Sequence, residues 1–106
     1  MRSANVYFNK DLAGVLTQKS DGAFEFEYLE TWLNNPYLPA ISLTLPKTNK
    51  TYRSLTLFPF FYQLLPEGEN KKEICFTKRI DESDDFGILL SVADTDTIGA
   101  VTLKRK

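Results

Sequence analysis

Phe24-Glu25-Phe26-Glu27-Tyr28 is the stretch that decides how the chain is read. Aromatic residues and carboxylates alternate at period two, so the rings line one face of a strand and the charges the other. That is the pattern of a half-buried antiparallel strand. Just before it, Lys19-Ser20-Asp21-Gly22 carries an Asp-Gly pair that tolerates the positive φ of a tight turn. Further upstream, Val6-Tyr7-Phe8 and the run from Leu12 to Thr17 read as two more strands, joined through the polar group Asn9-Lys10-Asp11 as a hairpin.

Downstream, Leu29 to Asn35 predicts one helical turn, ended by Asn34-Asn35-Pro36. Ile41, Leu43 and Leu45 alternate with Ser42 and Thr44, which predicts another strand with one wet face, closed by Pro46. Residues 47–53 read as a polar loop. The period then changes. Leu57, Phe58, Phe61, Leu64 and Leu65 follow helical spacing, with Pro59 in the first turn and Pro66-Glu67-Gly68 as the stop. A weaker helix is expected from about Glu69 to Arg79, with Ile74, Cys75 and the Lys78 methylenes inward. Phe86, Leu89, Leu90 and Ala93 recur at i, i+3, i+4 and i+7 behind the acidic group Asp81-Glu82-Ser83-Asp84-Asp85, whose carboxylates favour a helix start. Ile98 to Leu103 reads as a returning strand, with Gly99 marking a bulge or a close backbone approach. Strands first, helices next and a last strand give an α+β fold on an antiparallel sheet, in one domain spanning 1–106.

Composition excludes most catalytic machinery. The 106 residues contain no His and one Cys, with 13 Lys+Arg against 14 Asp+Glu. No Ser-His-Asp triad, Cys-His pair or His-ligated metal site is possible, and a single Cys makes neither an internal disulfide nor a Cys₄ zinc site. A net charge of −1 is the opposite of the basic excess of a dedicated nucleic-acid binder. The start of the chain lacks an apolar stretch of signal-peptide length, and no window approaches a membrane helix. A cytoplasmic location is expected, with no membrane and no direct nucleic-acid contact.

The remaining chemical candidates are weak. Asp94-Thr95-Asp96 begins like a calcium loop, but position six is Gly99 and position twelve is Arg105, so the closing ligand has the wrong charge. Helix caps and a solvated turn account for these acids. The glycines are scattered and form no phosphate-binding loop; Gly87 is read as admitting another backbone to its helix. Cys75 lies in Ile74-Cys75-Phe76 and reads as a buried inert thiol. No catalytic residue, metal or cofactor is expected.

Leu57 to Gly68 is different. Phe58, Phe61 and Leu65 fall near one helical line, while Phe60 and Tyr62 point elsewhere. Either the segment is buried on two sides or it offers aromatic surface to a partner. Trp32 poses the same question.

Four blocks together resemble the N-terminal subdomain of HipA-type serine/threonine kinase toxins. They are Val6-Tyr7-Phe8-Asn9 with Leu12-Ala13-Gly14-Val15-Leu16; Trp32-Leu33 with Ile41-Ser42-Leu43-Thr44-Leu45-Pro46, similar to "WL…LSLSLP"; Phe60 to Gly68, similar to "FF.NLLPEG"; and Asp85-Phe86-Gly87-Ile88-Leu89-Leu90 with Asp96-Thr97-Ile98-Gly99-Ala100-Val101, similar to "F.LL…GRD..GAV". The chain departs from the pattern at Asp94-Thr95-Asp96, where the family has Gly-Arg-Asp, and at Glu69, where some relatives carry an aromatic residue. The resemblance implies a small antiparallel sheet, partly barrel-like, packed with two to three helices. It also implies that the kinase core, with its catalytic and metal-binding aspartates, belongs to a second chain.

A free-standing subdomain of this kind is similar to the HipS-type chains of tripartite HipBST toxin–antitoxin systems. The implied role is an antitoxin that binds the N-lobe of a HipT-like kinase and inhibits it, in a ternary complex with a HipB-like helix-turn-helix protein. The alternative is a structural or activating subunit that completes a split HipA-like kinase and bridges it to the HipB-like protein. The candidate kinase-interface residues are Phe60, Tyr62, Leu65, Pro66, Glu67, Gly68, Glu69 and Trp32.

Overall fold

The computed structural model of the protein describes residues 1–92 and 100–106. Strand β1 (Arg2–Phe8) turns into β2 (Asp11–Gln18), which is followed by β3 (Phe24–Tyr28) and a single helical turn, α1 (Glu30–Leu33). Next come β4 (Thr51–Ser54), a second single turn α2 (Pro59–Tyr62), the longer helices α3 (Gly68–Lys78) and α4 (Asp85–Val92), and β5 (Val101–Arg105). The strands form one antiparallel sheet in the order β4-β3-β2-β1-β5. Among the described residues the sheet is open, with β4 and β5 as its edges, and it does not close into a barrel. Where two to three helices are expected, the described residues form four helical segments, two of them one turn long.

Local chemistry explains the hairpins. Asn9 and Lys10 both adopt positive φ, 50° and 75°, as a two-residue turn matching the strand twist requires. Register between β1 and β2 slips after Val6↔Gly14 to Tyr7↔Leu12, so Ala13 is an extra, fully buried residue in β2. Its carbonyl accepts the Leu29 N–H at 2.9 Å, which fixes the chain leaving β3. Gly22 sits at φ 91° in the next turn.

The inner face of the sheet carries Ala4, Val6, Leu16, Phe24, Phe26, Tyr28 and Leu103, all buried. Phe58, Phe61, Phe86 and Leu89 cover it from the helical layer. Glu25 and Glu27 face away, and Glu25 pairs across to Arg53 at 2.9 Å. The alternation at 24–28 is therefore realised as expected.

Two adjoining segments exchange roles relative to the sequence reading. Residues 41–45 are not a strand: Ile41 and Leu45 are buried, but Leu43 is 99% exposed. The cause is a turn, closed by the Leu45 N–H on the Ser42 carbonyl at 3.1 Å, with the Ser42 hydroxyl accepting the Thr44 N–H. Serine and threonine side chains compete for backbone groups in this way and displace a ladder. The strand falls instead on Thr51–Ser54, mostly within the expected loop and one residue past its end, where Tyr52 pairs with Phe26 and Arg53 with Glu25.

The helix expected over 57–65 shrinks to Pro59–Tyr62. A residue before proline is driven extended, and Phe58 has ψ 140°. Leu64 and Leu65 then bond to carbonyls three residues back, on Phe61 and Tyr62, tightening the end before Pro66. Helix α3 runs as expected and stops at Arg79, which takes left-handed φ 56°. Cys75 is buried, Ile74 half-buried, and the Lys78 amine reaches the Ser91 carbonyl at 2.9 Å.

Candidate functional site

The segment from Phe60 to Glu69 is laid over the sheet by three rings. Tyr28 packs edge-on to Phe26 at 4.9 Å between centroids, and Phe26 carries Phe61 at 5.8 Å. Phe61 is fully buried, so α2 is anchored through it. Phe60 leans on Phe61 at 5.2 Å and is half-buried, as are Leu64 and Leu65 against the same core. The question the spacing left open is thus answered residue by residue: Phe58 and Phe61 belong to the core, while Tyr62 is 56% exposed.

Beyond Leu65 the chain turns outward. Pro66 is half-buried, and Glu67, Gly68 and Glu69 are exposed. Glu67 is the residue before α3, in extended conformation, and its side chain makes no cap hydrogen bond. Gly68 has φ 59°, a conformation that L side chains rarely adopt, and a β-carbon added there would meet nothing within 4 Å. Tyr62, Glu67 and Glu69 therefore stand on one short segment whose base is fixed in the core. Trp32 is not part of it. Trp32 is 3% exposed, packs on Phe8 at 5.8 Å, and donates its indole N–H to the Pro39 carbonyl at 2.8 Å.

The carboxylates of Asp84 and Glu25 serve the fold. Asp84 precedes α4, accepts the Gly87 N–H at 3.1 Å and receives Arg2 at 2.7 Å. The Arg2 hydrogen bond holds the Asp84 carboxyl below its ordinary range, against the opposing effect of burial. The Arg2 guanidinium also lies over the Phe86 ring at 5.3 Å and bonds the Gln18 side chain. Glu25 is likewise lowered, first by its hydrogen bond from Arg53. Each of these shifts favours a permanently charged carboxylate, not an acid poised to give up a proton near neutrality. Among the described residues no three His, Cys, Asp or Glu side chains converge as a metal site. Asp94, Asp96 and Gly99, singled out in the sequence, lie outside the described residues.

The family model of the HipA N-terminal domain matches residues 4–104. The chain belongs to the HipA N-terminal domain family. A solved structure described as the N-terminal domain of HipA toxin superposes with a TM-score of 0.72 at 31% identity, covering 100% of this chain and 93% of that one. An uncharacterized protein of Haemophilus influenzae is 34% identical over 106 residues, 100% of this chain and 94% of that protein. A putative kinase of Sinorhizobium fredii, Y4mE, is 29% identical over 103 residues, which are 97% of this chain but 24% of the kinase. The chain thus spans about a quarter of that kinase's length. This HipA N-terminal domain shares its fold with a toxin domain and matches a small part of a putative kinase.

Inside the HipA N-terminal domain fold, several large apolar side chains are exposed that the sequence pattern does not reveal. Leu43 was expected beside Ile41 and Leu45 on a buried face, yet it faces solvent, as do Tyr37 at 92% and Phe76 at 87% exposure. Periodicity cannot report them, because Leu43 obeys the alternation and only the Ser42 turn rotates it outward.

Proposed function

We propose that this domain is the antitoxin of a tripartite HipBST-type toxin–antitoxin system, docking on the N-lobe of a HipT-like serine/threonine kinase toxin and holding it inactive. The observation that carries this reading is the exposed run Tyr62, Glu67, Gly68 and Glu69 on a base locked by Phe61. Tyrosine with flanking acids on a fixed support has the makeup of an interface anchor: a large amphipathic contact with little ordering entropy left to lose. Phosphoryl transfer depends on positioned phosphate-binding and metal-binding groups, so a domain that restrains the N-lobe or nucleotide loop stops it. A HipB-like helix-turn-helix protein completes the complex and supplies the DNA contact, in the cytoplasm.

The decisive measurement is autophosphorylation and substrate phosphorylation by the purified HipT-like kinase of the same organism, with this chain titrated to saturation. Both activities are expected to fall. Unchanged activity overturns the proposal, and increased activity assigns the domain as an activating subunit of a split kinase.

A further inference from the structure

We propose that the turn at Ile41–Leu45 is a second docking element, in which Leu43 is a prefabricated peg for an apolar, uncharged socket on the same kinase chain. This inference rests on the kinase-binding reading above and extends the contact beyond Tyr62 and Glu67–Glu69.

Leu43 is held out, not merely left out. The Tyr28 hydroxyl accepts the Ile41 N–H at 3.1 Å and donates to the Leu45 carbonyl, so one buried phenol grips both feet of the turn. The side chains of Ile41 and Leu45 are sunk in the core. Between them Leu43 stands 99% exposed. The wider loop is fastened at further points: the Trp32 indole to the Pro39 carbonyl, the Tyr52 hydroxyl to the Pro46 carbonyl at 2.6 Å, and the Lys47 amine to the Asn35 and Leu38 carbonyls. A loop this long without regular structure is uncommon in a compact domain unless it serves function. Fixing it in advance removes much of the ordering cost of binding.

The chemistry of the partner follows from charge. Residues 31–46 contain no Asp, Glu, Lys or Arg, in a chain that is 25% charged. Residues 54–66, which carry Tyr62, are the only other uncharged run longer than ten residues. Loss of charge around a large apolar side chain is the composition of the core of a protein interface, and the reverse of a nucleic-acid surface. The two runs are also physically joined. The Phe61 ring beneath Tyr62 packs on Phe26, Phe26 packs on Tyr28, and Tyr28 holds the turn. Both elements therefore lie on the helical side of the sheet, over one aromatic stack. In the putative kinase relative the matched region is 24% of the protein, so most of that chain is polypeptide against which such a surface can close.

The test measures binding of the purified HipT-like kinase of the same organism by calorimetry, together with sedimentation of the domain alone. Leu43→Ser is expected to weaken binding by roughly 10-fold or more while leaving the melting temperature within roughly 2 °C, because the side chain is exposed. Tyr28→Phe keeps Leu43 but frees the turn; it is expected to speed amide exchange at Ile41 and weaken binding to a smaller extent. Tight binding that Leu43→Ser leaves unchanged overturns this inference and leaves the antitoxin reading standing. No binding by the unaltered domain overturns both. A self-association of the domain that Leu43→Ser abolishes, with kinase binding intact, overturns the inference by giving the peg to a second copy of this chain.

Discussion

Gly87 illustrates how much one atom decides. A β-carbon there would sit 2.3 Å from Asp84 Oδ2, inside the carboxylate that caps α4. Glycine at this position predicts close approach of another backbone, but the neighbour it admits is the cap side chain. At Gly14 the obstacle is backbone, since a β-carbon would lie 2.4 Å from the Glu27 carbonyl oxygen and 2.8 Å from the Phe26 ring. Gly14→Ala must push β2 off β3 and is expected to cost about 2–4 kcal/mol by urea unfolding, within the range of overpacked core sites. Gly87→Ala displaces a carboxylate that can rotate away, so its cost is expected to be about 1–2 kcal/mol, the worth of a lost helix cap.

Asp84 also contributes to the acid limb of stability. Its carboxyl is lowered in the folded state, chiefly by Arg2. The stabilisation is therefore complete above the ordinary carboxylate pKa of about 4 and is lost as pH falls through the lower folded value. Glu25, lowered by Arg53, behaves in the same sense. Urea midpoints are expected to hold steady from about pH 8 to pH 5 and decline below, with no step near pH 6.5 because the chain has no His. Asp84→Asn keeps a capping side chain but removes the charge. It is expected to lower the neutral-pH midpoint and to shrink the decline in acid.

At the scale of elements, α2 divides core from surface within consecutive residues. Phe61 is fully buried and Tyr62 is 56% exposed. Phe61→Ala is expected to destabilise the fold by about 3–5 kcal/mol, as large aromatic truncations in cores do. Tyr62→Ala, and Glu67→Ala with Glu69→Ala, are expected to leave circular dichroism and the urea midpoint nearly unchanged while weakening kinase inhibition. A loss of fold from Tyr62→Ala would place it in the core instead. The strand at 24–28 was legible because alternation there coincides with pairing on both sides, to β2 and β4. The strand expected at 41–45 shows the same alternation but pairs with no strand among the described residues. Alternation reports which side chains can share a face; it does not report whether a neighbour is present to accept the backbone bonds.

For the whole molecule, one sheet face is packed and the other wet, so the domain has a single layer of helices over a single sheet. What the amino-acid sequence determined by itself was the class, α+β on an antiparallel sheet, and the exclusion of histidine and disulfide chemistry. Its motifs further placed it with the HipA N-terminal domain. These follow from composition, local turn chemistry and period, which act within a few residues of chain. Which aromatic side chains became core and which became surface was decided only by tertiary structure. Tyr28 gripping the turn at Ile41 and Leu45, Phe26 carrying Phe61, and Arg2 bonding Asp84 from the far end of the chain are contacts between distant segments. Burial is a property of those contacts, so identical residue types, such as Phe61 and Phe76 or Leu45 and Leu43, ended on opposite sides of the surface.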